Sequence, residues 1–179
     1  MKTSKNLTMA LVLAAVTGLI AGADVKQTSD ADAAHQGFEK IKALNGDWEV
    51  SRAPTDHEHG PMSGTVSYKV TAGGSAVLET LFGGSEHEMV TLYYIDGDTL
   101  SLTHYCMLGN RPHMRAEPQS EPNQLSFKCF GDDKIEADDH MHQVTFTFVD
   151  PDHLKTEWVL YKGGKSAGAH AFELTRKSK

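Results

Sequence analysis

The stretch ADDHMHQVTFTFVD, residues 137–150, sets His140 and His142 two residues apart at the start of an alternating apolar run. In an extended chain, residues i and i+2 share a face and stand roughly 6.5–7 Å apart at the backbone. Zinc–nitrogen bonds are about 2.0–2.1 Å long, so both imidazoles can reach one ion. A third histidine from another strand, with His104 the leading candidate, would complete a zinc site. The plainer alternative is a pair of rim histidines bonded to the acids of EADDH. HEHGPM, residues 57–62, is a second histidine cluster, and a solvated turn accounts for it equally well. HYCMLGNRPHM, residues 104–114, gathers imidazole, thiol and thioether groups, a donor set suited to soft metals if it converges. Strand alternation works against convergence, because His104 and Cys106 fall on the face opposite Tyr105 and Met107. Met107 and Met114 then serve as packing residues. The chain contains no G-x-S-x-G, phosphate-loop or HExxH motif, which points to a protein that is not an enzyme.

These side chains need a frame to hold them. Phe38, Ile41 and Leu44 recur every three residues in AAHQGFEKIKAL, giving one apolar stripe on a short helix, with Ser29 or Asp30 available as its cap. Gly37 counts against that helix. From Gly46 onward the period becomes two. GDWEVSR, SGTVSYKV, SAVLETLF, HEMVTLYYI, TLSLTHYCM, RPHMRAE, QLSFKCFG, HMHQVTFTFV, HLKTEWVLYK and AGAHAFELTRK follow one another across short turns, among them Asp96-Gly97 and Gly163-Gly164. The expected fold is all-β: an antiparallel up-and-down barrel of about ten strands with a short N-terminal helix. Short connections favour neighbour-to-neighbour hairpins, and closure removes the two edges that an open meander would expose.

Ahead of this frame, Lys2 and Lys5 precede the apolar run LTMALVLAAVTGLIAGA, which ends in a small-x-small signal at Ala21-Gly22-Ala23. Residues 1–23 therefore read as a signal peptide, residues 24–34 as a flexible polar arm and residues 35–179 as the barrel domain. The expected location is periplasmic or secreted, with no membrane span after cleavage. Cleavage takes Lys2 and Lys5 from the 17 basic residues and none of the 24 acidic ones, so the formal charge moves from −7 to −9. Such a balance excludes nucleic acid as a partner, since phosphate neutralisation needs a basic face.

Alternation also assigns faces. His140, His142, Val144, Phe146 and Phe148 share one side of their strand, and Leu100, Leu102, His104 and Cys106 share one of theirs. Leu154, Thr156, Trp158 and Leu160 form a third set, and His170, Phe172, Leu174 and Arg176 a fourth. Each set is mainly apolar and so points inward. His104, His142 and His170 then project into one interior with Phe146, Phe148, Trp158, Phe172 and Leu102. Glu79 or Tyr105 adds a polar group to it. A one-residue bulge would reverse any of these assignments. Cys106 and Cys129 should flank a middle strand, roughly 9–10 Å apart, beyond the limit of about 7 Å for a disulfide. Two free, buried thiols are expected.

LNGDWEV places Gly46-x-Trp48 on the first strand, and FELTRK places Arg176 on the last. In this the chain resembles the calycin superfamily, the lipocalins, fatty-acid-binding proteins and their relatives. It is also similar, along HEMVTLYYIDGDTLSLTHYCMLGN, to uncharacterised secreted bacterial lipocalin-like proteins. The resemblance implies that Trp48 packs beneath Arg176 where the first and last strands meet, a contact worth roughly 0.5–2 kcal/mol. It also implies a cavity for one small ligand. Three readings follow: a small apolar or amphipathic molecule in the cavity, a zinc site built from His140, His142 and His104, or a haem held by an axial histidine among His104, His142 and His170.

Overall fold

The computed structural model describes residues 29–52, 55–56, 60–61, 64–131, 135 and 137–178. The segment read as a signal peptide lies outside them, as do most of the HEHGPM residues. Among the described residues no helix is long and apolar enough to cross a membrane.

Helix α1 runs from Asp30 to Ala43, so residues 30–34 belong to it and not to a polar arm. The reason is local. The Ser29 hydroxyl accepts the Asp32 backbone N–H at 3.1 Å and caps the first turn. Asp30 and Asp32 then lie at the positive end of the helix, and Lys40 and Lys42 at its negative end. Gly37 has a packing role: a Cβ there would stand 2.9 Å from Leu100 Cδ2, so its absence lets the helix approach the sheet closely.

The strands are β1 (Gly46–Arg52), β2 (Thr55–Asp56), β3 (Gly60–Pro61), β4 (Thr65–Thr71), β5 (Ala76–Leu81), β6 (Met89–Asp96), β7 (Thr99–Tyr105), β8 (His113–Ala116), β9 (Gln124–Cys129), β10 (His140–Asp150), β11 (His153–Lys162) and β12 (Lys165–Arg176). Strands β2 and β3 pair only with each other, inside the stretch read as a loop. The other ten close into an antiparallel barrel in the order β1-β12-β11-β10-β9-β8-β7-β6-β5-β4, each beside its neighbour in the chain. Turn chemistry supports this arrangement. Lys162 pairs with Lys165 across Gly163 (φ 56°) and Gly164 (φ 73°), and glycine takes these two positive angles without a steric penalty.

The barrel closes where β1 meets β12. Trp48 and Arg176 are direct register partners, and the guanidinium carbon lies 4.2 Å from the indole centroid. Arg176 also donates to the carbonyls of Ala43, Asn45 and Pro151, each at 3.0 Å. The Trp48 Nε1–H donates to Leu44 O at 2.8 Å. One cation thus stacks on the indole and satisfies carbonyls at the C-terminal end of α1, where a positive charge is favoured.

The end of the barrel under α1 is filled. Phe38 and Ile41 of the helix are buried there. Tyr93, Phe127 and Phe146 meet edge to face with ring centroids 5.8–6.1 Å apart, separations that suit aromatic quadrupoles. Cys106 and Cys129 are buried and form no disulfide; β8 lies between β9, which carries Cys129, and β7, which ends one residue before Cys106.

Candidate functional site

The other end of the barrel is not filled. A cavity of about 490 Å³ opens there between the end of β7 and strands β11 and β12. His104, Trp158, His170 and Phe172 line it, in agreement with the faces that alternation gave them, and Met89 and Cys106 complete the floor. Met107 and Leu108 line the mouth and are about half exposed, which gives the entrance an apolar rim. Leu102 and Phe146, also candidates for the lining, are fully buried and belong to the packed half. Phe148 lies at the α1 end, with Lys40 Nζ 5.9 Å from its ring centroid. Tyr105 points outward and is exposed.

His140 and His142 do not line the cavity. The cause is a bulge. Met141 pairs with Leu160 and Gln143 with Val159, which leaves His142 as the extra residue. Beyond it the alternation is offset by one, so Met141 lines the cavity beside Leu160. His140 is paired with Tyr161, and the His142 ring stacks on Tyr161 with centroids 3.8 Å apart. The shared interior expected for His104, His142 and His170 therefore holds His104 and His170 alone. The metal trio of His140, His142 and His104 is not assembled. Among the described residues, Cys129 comes within 4.8 Å of the pair.

A polar chain leads from the core to the cavity. Glu79 is buried, and its carboxylate accepts the hydroxyls of Tyr68 and Tyr93, both at 2.7 Å. Burial raises the carboxyl pKa, and hydrogen bonds from Tyr93, Tyr68 and Thr91 pull it back. Burial, together with the neighbouring Glu79 charge, pushes both phenols well above their ordinary range. Thr91 faces Glu79 in register, and its Oγ1 lies 2.9 Å from His104 Nδ1. In one tautomer of the imidazole, Oγ1 accepts from His104 Nδ1–H. That choice of tautomer leaves a lone pair on His104 Nε2. Burial lowers the His104 pKa to about 4, so the ring is neutral at neutral pH.

His104 packs on Trp158 with ring centroids 4.5 Å apart. His104 Nε2 and Trp158 Nε1 are both buried and find no hydrogen-bond partner among the described residues. In that tautomer one is an acceptor and the other a donor, both in the wall of one cavity. Buried polar atoms without partners are uncommon, and each costs about 1–3 kcal/mol. Alternation alone could have found Thr91, which shares a face with Met89 and Tyr93. No sequence signal marks the bulge at His142.

No family model matches this chain, and the curated proteins contain no match to it. Among solved structures it is similar to a protein of unknown function from the DUF3598 family of Nostoc punctiforme, with 12% sequence identity and a TM-score of 0.52. The alignment covers 76% of this chain and 49% of that one, so the chain spans about half the length of that protein. What the two share is a fold, and the fold of this chain is a closed ten-stranded antiparallel barrel with one short helix at its N-terminal side.

Proposed function

We propose that the protein binds a small, mostly apolar molecule carrying a hydroxyl-type group in the open half of the barrel, without transforming it. The observation that carries this reading is the unpartnered pair, His104 Nε2 and Trp158 Nε1, in the wall of an otherwise largely apolar cavity. A hydroxyl can donate to the first and accept from the second at once. The cavity volume falls within the range of about 300–1,000 Å³ typical of small-molecule sites. The likeness to calycin barrels, whose interior can hold one small ligand, supports the same reading. So does the leader-like N-terminal segment, which fits an exported carrier.

Displacement of the fluorophore 1-anilinonaphthalene-8-sulfonate tests it. Medium-chain alcohols and phenols should compete about 10-fold better than their matched methyl ethers, the worth of one buried hydrogen bond. His104→Leu should erase that preference while retaining binding of the fluorophore. Equal competition by alcohol and ether refutes the reading.

One observation favours a second reading, the haem. A neutral His104, fixed through Nδ1 and with Nε2 free of partners, is arranged as an axial ligand would be. Titration with haemin separates the two: an absorption shift that disappears in His104→Leu assigns the nitrogen to iron.

A further inference from the structure

We infer that Cys129, His140 and His142 form a second site, apart from the cavity, that takes one borderline-soft transition-metal ion of the zinc type. All three side chains are buried, and one ligand atom from each lies within 4.8 Å of the other two. His140 Nε2 and His142 Nδ1 are 3.0 Å apart. Two nitrogens on a tetrahedral zinc ion with bonds of about 2.0–2.1 Å stand about 3.3–3.4 Å apart. The two rings need to part by only a few tenths of an ångström, and the sulfur to draw closer by about 1 Å.

The surroundings orient the rings as an outer shell does around a metal. His140 Nδ1 donates to Asp138 O at 2.8 Å, which leaves the Nε2 lone pair directed at His142. The Asp138 backbone is held in turn, because its N–H donates to Ile135 O at 3.1 Å. The neighbouring Asp139 O accepts from Asn110 Nδ2 at 2.7 Å. His142 is clamped flat against Tyr161, with 14° between the ring planes. The β9–β10 register, with Gln143 facing Lys128, carries His142 toward Cys129 on the neighbouring strand.

Proton accounting is simple. Without metal, His142 Nδ1–H donates to His140 Nε2. When the ion enters between them, that proton moves to His142 Nε2 and Nδ1 becomes a ligand. The Cys129 thiol loses its proton to solvent as the sulfur–metal bond forms. One thiolate and two neutral imidazoles suit zinc and its cobalt(II) substitute, and they leave one tetrahedral position for water.

The test uses the full-length reduced protein, titrated with zinc against a chromophoric chelator and, separately, with cobalt(II). One equivalent of zinc should bind with release of a proton, and the cobalt form should show an intense thiolate-to-metal absorption band. Cys129→Ser and His142→Gln should each weaken zinc binding at least about 10-fold. Cys106→Ser, His104→Gln and a His57→Ala/His59→Ala double variant should bind as the parent does. Zinc should also slow alkylation of Cys129 in the Cys106→Ser background, a readout that needs no substitution at the site. A folded parent that takes up no zinc, a cobalt complex without the thiolate band, or binding that survives Cys129→Ser and falls with the loop double variant overturns the inference.

Discussion

His104 gives the sharpest quantitative expectation. Its ring is neutral in the folded protein down to about pH 4, whereas an unfolded histidine titrates near 6.5. Between those values the unfolded chain holds more protons than the folded one, so stability falls as pH falls through this window and levels off below it. Each pH unit is worth about 1.36 kcal/mol, so the cost reaches about 3 kcal/mol by pH 4. Glu79 acts in the opposite direction. Its raised pKa adds stability at low pH that is lost as pH rises through its folded value. The assay must therefore be differential. Urea-unfolding free energies of the parent and of His104→Gln, measured in steps from about pH 7 to about pH 4, share the Glu79 contribution and those of the surface carboxylates. Subtracting one curve from the other isolates the imidazole. The parent should lose about 3 kcal/mol more than the variant across the window. Parallel curves would refute the argument, because they would mean that His104 meets water or a charge partner as readily folded as unfolded.

Arg176→Ala removes a stacked guanidinium and three hydrogen bonds to carbonyls. It should cost about 2–3 kcal/mol in urea unfolding, with Arg176→Lys retaining part of that stability because the charge remains. Glu79→Leu strands the buried Tyr68 and Tyr93 hydroxyls and should lower stability by about 2–5 kcal/mol; a loss below 1 kcal/mol would mean the phenols find other acceptors. Gly37→Ala sets about 1 kcal/mol of helix propensity against overpacking of about 1–3 kcal/mol at Leu100. Since Leu100 is buried, a lower melting temperature is expected, and a higher one would show that the leucine can yield. Thiol titration with Ellman's reagent should find two reactive cysteines after unfolding without reductant. The native protein should react slowly, because burial raises the Cys106 pKa.

The architecture was legible because period-two alternation and Gly-rich turns operate locally, and each strand's neighbour in the chain is its neighbour in space. The seam was legible for another reason: Gly46-x-Trp48 and Arg176 lie at the two ends that closure must bring together. His104, Trp158, His170 and Phe172 fell in the cavity because the stretches that carry them keep their alternation, the shift between β11 and β12 falling beyond them at Ala167. The histidine pair behaved otherwise. A single extra residue at His142 offsets β10 by one position, and HMHQV carries no glycine or other turn chemistry to announce it. Division of the interior into a filled half and an open half was equally silent, since Phe146 and Phe172 read alike in sequence and differ only in what packs against them. The cap at Ser29 was legible, but the first turn of α1 was also counted with the polar arm because its residues are polar, although two aspartates are what such a turn favours.

The seam has a consequence for the order of events in the cell. Trp48 waits for Arg176, and between them lies nearly the whole barrel. A ribosome-bound chain can form hairpins one after another, but it cannot lock the cylinder until the last strand has emerged. Loss of β12 would remove the partner of both β1 and β11, leaving two bare edges and one wall of the cavity missing. Maturation should therefore be an all-or-nothing step set by the C-terminal end, and a chain shortened before Phe172 should go to proteolysis and not to a smaller working barrel.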